Sequence, residues 1–207
     1  MRLEYSTAGL AEADLAGDWA TQFGGWLAEA VDAGVVEPNA MVVATADAAG
    51  RPSSRTVLLK GYDAAGLVFF TNYGSRKGAE LAANPYASAT FPWYGLHRQV
   101  HARGPVRKVD PAESDAYFAS RPRGAQLGAW SSPQSTVIAA RAELDASFAE
   151  YEARWPEPTE VPRPEHWGGY RLEPEIVEFW QGRENRVHDR LTYRRVGDRW
   201  VVERLAP

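Results

Sequence analysis

An antiparallel β-barrel carrying helical insertions is the fold class this sequence predicts, mainly β overall. Three observations carry the prediction. Short runs rich in Val, Leu and Phe recur along the chain, separated by Gly-containing turns. Stretches with apolar residues three and four apart interrupt those runs, as amphipathic helices do. The 207 residues can bury a real core although the chain has no cysteine for disulfides or thiolate metal sites. A single domain covering 1–207 is the expected organisation.

Taken in order, Leu15, Trp19, Phe23, Trp26, Leu27 and Val31 mark one face of a packing helix, within an N-terminal helical segment of about 12–34. From Ala40 the period changes to that of strands: AMVVATAD, SSRTVLLK and LVFFTN, with turns at AAGR and DAAG, read as an antiparallel meander. Ser75 stands where a helix N-cap belongs, and Asn84-Pro85 ends the helix that follows. The strand-like segments ASATFPW, HRQVHARG and PVRKV lead to a helix, DPAESDAYFASR, stopped by Pro122. Gly124 to Trp130 reads as a short helical piece, and Pro133 as the first turn of a long helix running to Trp155. The proline-rich EPTEVPRPEHW is an extended connection, and GGYRLEP, EIVEFWQG, NRVHDRLTYRR and RWVVERL are the closing strands.

Composition removes several function classes. No apolar run approaches the roughly 18 residues of a membrane span, and the early acidic residues Glu4, Glu12, Asp14 and Asp18 do not suit a leader, so the cytoplasm is the expected compartment. A net charge of −4 argues against nucleic-acid binding. The dinucleotide and P-loop glycine signatures are missing, as is the G-x-S-x-G elbow. His97 and His101 are four apart, but their segment alternates like a strand and has no acidic third ligand nearby, so no metal is expected.

Within this acidic chain the cations cluster. Arg51, Arg55, Lys60, Arg76 and Lys77 form one group, and Arg183, Arg186, Arg190, Arg194 and Arg195 another, which suits either small anionic ligands or a solvated basic surface. Arg76 and Lys77 follow the Ser75 cap, where unpaired N–H groups and the positive end of the helix dipole hold a phosphate well. Strand alternation puts Arg55, Val57 and Leu59 on one face and Thr56, Leu58 and Lys60 on the other. Arg186, His188 and Arg190, spaced by two, share a strand face, and their mutual repulsion calls for an anion, an electron-rich ring, or salt bridges to Glu178 or Asp189. Tyr117 and Arg121, four apart, form a helix-face pair suited to clamping a phosphate or simply lying on the surface.

The stretches RTVLLKGYDAAGLVFFTNYGSRKGAEL, RQVHARGPV, AYFASRPRGAQLGAWSSPQS, HWGGYRLEP and EFWQGRENRVHDRLTYRR resemble the pyridoxamine 5'-phosphate oxidase family, in the same order and from about Tyr5 to the terminal ERLAP. The resemblance implies an FMN-binding split barrel acting as a homodimer, with flavin sites at the subunit interface. It implies that Arg55, Thr56, Val57, Leu58, Leu59, Lys60, Phe70, Thr71, Arg76, Lys77, Gln99, Gln134, Ser135, Trp180 and Arg190 bind FMN. Arg2 and Tyr5 would cover the substrate, Lys60, Tyr117 and Arg121 would take its phosphate, and Arg186 and His188 would lie over its pyridine ring as the catalytic pair. One position departs: Ala125 stands where the family has a serine on the substrate phosphate, a loss on the order of 1.5–3 kcal/mol.

The implied reaction oxidises pyridoxamine or pyridoxine 5'-phosphate to pyridoxal 5'-phosphate, with oxygen as acceptor and hydrogen peroxide as product. Two other readings stand beside it. One is a related flavin oxidase acting on a phenazine precursor, against which the phosphate clamp argues. The other is a non-catalytic flavin- or haem-binding module, which needs neither the R-x-H nor the Y-x-x-x-R pair.

Overall fold

A computed structural model describes residues 9–207 of the chain. The N-terminal helix is shorter than the apolar spacing suggests: a 3-10 turn at Glu12–Asp14 precedes α1 (Trp19–Asp32). Asp18 sets that start. Its carboxylate accepts from the backbone N–H of Thr21 at 2.8 Å and from the Thr21 hydroxyl at 2.7 Å, an N-cap that fixes the first turn. The buried face of α1 presents Trp19, Phe23 and Trp26 to the sheet. Phe23 lies 4.9 Å from the ring of Phe91, and Trp26 meets Phe179 edge-on at 5.2 Å.

Strands β1 (Ala40–Ala46) and β2 (Pro52–Leu58) form a hairpin with Ala40 opposite Leu58 and Ala46 opposite Pro52. The meander expected from the sequence stops there. β3 (Gly61–Asp63) is a short extra strand, and β4 (Gly66–Asn72) pairs with β3 and with β7 (Trp167–Leu172), not with β2. β4 is buried on almost every residue because it runs between the main core and a second, smaller cluster.

After α2 (Arg76–Ala83) come β5 (Tyr86–Trp93) and β6 (Arg98–Lys108). The two segments read as HRQVHARG and PVRKV are one strand. β6 pairs along one edge with β5, while along the other it serves β8 (Ile176–Gln181) through residues 98–103 and β7 through 106–108. Gly104-Pro105 lies at the change of partner, where proline's missing N–H leaves no ladder bond unmade. A Cβ at Gly104 would stand 2.0 Å from the Glu173 carbonyl oxygen, so the crossing needs glycine. With β9 (Asp189–Val196) and β10 (Arg199–Arg204), the sheet runs β10-β9-β8-β6-β5-β1-β2, and β7-β4-β3 branches from β6.

Helices α3 (Pro111–Ser120) and α4 (Arg123–Ser131) cover the smaller cluster of Phe118, Leu127, Val161 and Trp167. Asp110 caps α3, accepting from Ala112 N–H at 2.8 Å. The long helix expected from Pro133 does not form: residues 132–140 are irregular, Ser135 has φ 70°, and α5 begins only at Arg141, ending at Arg154. No helix among the described residues is long and apolar enough to cross a membrane.

Candidate active site

The hairpin strand β2, the end of β4, the start of α2 and the α3–α4 connection converge on a cavity of about 800 Å³. Arg55, Thr56, Val57, Leu58 and Lys60 form one wall, Phe70, Thr71 and Lys77 a second, and Tyr117, Arg121, Ala125 and Gln134 a third. Leu59 turns into the core instead, at 5% exposure. Arg76 is exposed on α2 and does not line the cavity. Ser135 is exposed next to Gln134 in the irregular segment. Arg2 and Tyr5 lie outside the described residues.

Ser75 caps α2 as its position suggests, accepting from Gly78 N–H at 3.3 Å. Lys77, only 8% exposed, donates to three neutral oxygens: Thr71 Oγ1 at 3.0 Å, Gln134 Oε1 at 2.8 Å and Ser75 Oγ at 3.3 Å. Burial, helped by the charge of Arg55, brings its ammonium down to about 8 from the usual lysine range. Arg55 donates to Thr45 Oγ1 at 2.6 Å and Val43 O at 3.3 Å, and also to Ser53 Oγ. Behind it lies Glu80, 5% exposed, which takes Arg76 Nε at 2.9 Å. Burial raises a carboxyl, but bonds from Ser53, Thr45 and Arg76 and the charge of Arg55 outweigh it and hold Glu80 at about 2.

Tyr117 and Arg121 do not share a helix face. Pro122 ends α3 at Ser120, and Arg121 is extended at φ −74°, ψ 147°. Both nonetheless line the cavity, Tyr117 stacked on Phe70 at 4.0 Å and the Arg121 guanidinium 4.6 Å over the Trp167 ring. Arg121 Nη1 is buried with no hydrogen-bond partner among the described residues. Burial pushes this guanidinium down from its ordinary value, only partly countered by Tyr117, as happens to a cation lacking a counter-charge.

Arg186, His188 and Arg190 are not three residues of one strand. Asn185 and Arg186 have φ of 56° and 62°, forming a 3-10 turn at Glu184–Arg186, and β9 starts only at Asp189. A different row emerges across the sheet. Gln99 on β6 is opposite Trp180 on β8, which is opposite Arg190 on β9, so the three side chains share a face. The His188 ring sits 4.6 Å from Trp180 and accepts from Arg183 N–H at 3.1 Å. Glu178 holds Arg190 with two bonds, at 2.8 and 3.0 Å, while Asp189 takes Arg183 and Arg204, so salt bridging does neutralise much of this basic cluster. None of Gln99, Trp180, Arg186, His188 and Arg190 lines the cavity.

Two residues of the site escaped the sequence reading. Trp167 and Glu80 both lie inside quoted motifs, but a lone tryptophan reads as core and a helical glutamate as solvated face.

A family model described as "Pyridoxamine 5'-phosphate oxidase" matches residues 27–155, well over half of the chain. The chain belongs to the pyridoxamine 5'-phosphate oxidase family. A second model, described as the pyridoxine 5'-phosphate oxidase C-terminal dimerisation region, matches residues 167–207, which include the Trp180–Arg190 pair. A family member from Salinispora arenicola, named pyridoxine/pyridoxamine 5'-phosphate oxidase, is 59% identical over 209 residues, covering 100% of this chain and 95% of that protein. One of the same name from Rubrobacter xylanophilus is 56% identical over 207 residues, again covering 100% and 95%. Among solved structures, PhzG from Burkholderia lata 383, in complex with tetrahydrophenazine-1-carboxylic acid, superposes with a TM-score of 0.91 at 34% identity, covering 98% of this chain and 100% of that one. An FMN binding protein from Nostoc punctiforme shares the fold, with a TM-score of 0.71 at 21% identity over 94% and 100% of the two chains.

Proposed function

We propose that this chain is an FMN-dependent oxidase that converts pyridoxamine and pyridoxine 5'-phosphates to pyridoxal 5'-phosphate, reducing oxygen to hydrogen peroxide. The observation that carries the reading is the orphaned Arg121 Nη1. A buried guanidinium with an unmade bond is costly to the fold and is satisfied by an anion such as a substrate phosphate. Lys77, with only neutral partners, offers a second anion grip from a different element.

The residues present fit FMN. Arg55 and Lys77, with Arg76 beside them, would hold its phosphate at the start of α2. Thr56, Val57, Leu58, Lys60, Phe70, Thr71 and Gln134, which line the cavity, would border the remainder. Bound FMN supplies the electron acceptor for a two-electron oxidation. The chain's own part is to bind and orient: Lys60, Tyr117 and Arg121 take the substrate phosphate, and Arg2 and Tyr5 cover it. Arg186 and His188 lie over the pyridine ring and assist proton loss from the oxidised carbon.

Arg186, His188, Gln99, Trp180 and Arg190 lie away from the cavity in the same chain, within or beside the region whose family description names dimerisation. A second copy therefore supplies them, and the working unit is a homodimer with two composite sites.

The test is direct. Purified protein should be yellow, and in air it should turn pyridoxamine 5'-phosphate into peroxide and an imine-forming aldehyde. Colourless protein producing neither would end the reading. The likeness to PhzG favours one competitor, oxidation of a phenazine precursor. Equal turnover of substrate with and without its phosphate would favour it, since Arg121 would then have no anion to hold.

A further inference from the structure

We propose that Glu80 is a positioning residue for the phosphate site, holding Arg55 and Arg76 in place before any ligand arrives. The inference rests on the reading that a flavin phosphate binds beside Arg55 and Lys77. Glu80 is the one acidic side chain among the buried described residues. A carboxylate in that position destabilises the fold unless it is fully partnered. Its Oε2 accepts from Thr45 Oγ1 at 2.5 Å, Ser53 Oγ at 2.6 Å and Arg55 Nη2 at 3.4 Å, and its Oε1 from Arg76 Nε at 2.9 Å.

The two hydroxyls act as relays. Thr45 and Ser53 each donate to Glu80, and each accepts from Arg55. Because a hydroxyl has a single proton, donating it to Glu80 turns a lone pair toward the guanidinium. Glu80 thus orients Arg55 through two intermediaries as well as directly, and it reaches Arg76 from its other oxygen. Lys77, on the same helix, has no carboxylate partner among the described contacts, so the cluster keeps an uncompensated cation.

Charge and position make opposite predictions here. A carboxylate near a bound phosphate repels it, so its removal tightens binding if the arginines stay put. If Glu80 places them, its removal weakens binding. Titration of the apoprotein with FMN and with riboflavin, which lacks the phosphate, separates the two. Glu80→Gln should weaken FMN binding roughly tenfold, as loss of support behind a ligand-holding side chain does, and leave riboflavin binding nearly unchanged. Ser53→Ala, which keeps every charge and removes one relay, should weaken FMN selectively in the same direction and carries the test if Glu80→Gln does not fold.

An FMN affinity that stays the same or tightens in both variants overturns the proposal. So does a parallel loss of FMN and riboflavin, which would make Glu80 merely an anchor between α2 and the sheet. Lys77→Met is the control for the underlying reading. If that variant keeps the wild-type preference for FMN over riboflavin, the phosphate does not bind here and the reading itself fails. If it loses the preference while Glu80→Gln keeps it, only the role of Glu80 fails.

Discussion

Arg121, just before α4, and Ala125, in its first turn, line the same cavity, one with an unmade bond and the other with no group to offer a phosphate. Arg121→Ala should therefore reduce kcat/KM for pyridoxine 5'-phosphate by on the order of 10- to 100-fold, the worth of one charge-assisted bond, with FMN content unchanged. Ala125→Ser should lower KM, by up to about tenfold. Steady-state kinetics on the two variants checks both. Lys77 gives a pH dependence. If the flavin phosphate sits against the protonated amine, proton and ligand reinforce each other, and FMN affinity should fall as pH rises through about 8, where the free protein loses that proton. Riboflavin affinity measured over the same range should stay flat, and the slope should vanish in Lys77→Met.

Elements set where these side chains point, and α2 shows how closely. A Cβ at Gly78 would fall 2.1 Å from the backbone oxygen of Tyr73, a clash no rotamer relieves. Gly78→Ala should cost about 1–3 kcal/mol in urea unfolding, whereas Ser75→Ala, which removes the cap bond, should cost about 1 kcal/mol. Reversal of that order would mean the helix start carries less strain than its geometry implies. Such local features were legible in the sequence: Ser75 was a recognisable cap, and AMVVATAD, ASATFPW and EIVEFWQG were recognisable strands. Features that depend on distant partners were not. The pairing of β4 with β7 joins residues about a hundred positions apart, and nothing in LVFFTN names that partner. The positive φ at Asn185, Arg186 and Ser135 broke a predicted strand and a predicted helix, because spacing arguments assume a regular backbone. Residue types survived these errors better than directions did: Tyr117 and Arg121 meet in the cavity although the helix-face argument for them fails.

At the scale of the whole molecule, the cavity and the Gln99–Trp180–Arg190 row occupy different parts of one sheet. If two copies complete each site, chains carrying Arg121→Ala and chains carrying His188→Ala, each strongly impaired alone, should complement when refolded together. Random re-pairing gives heterodimers for about half the population, each with one intact site of two, so roughly a quarter of wild-type activity should return. Failure of any activity to reappear, with heterodimers demonstrated, would confine each site to one chain. The hinge between these regions is β6, which gives its outer edge first to β8 and then, past Gly104-Pro105, to β7. A strand that is zipped on both sides and shared between two branches cannot let go of one without loosening the other. Its central amides should be the last to exchange with deuterated water, and FMN added at the cavity should slow exchange in β8 and β9 as well as in β2 and β4.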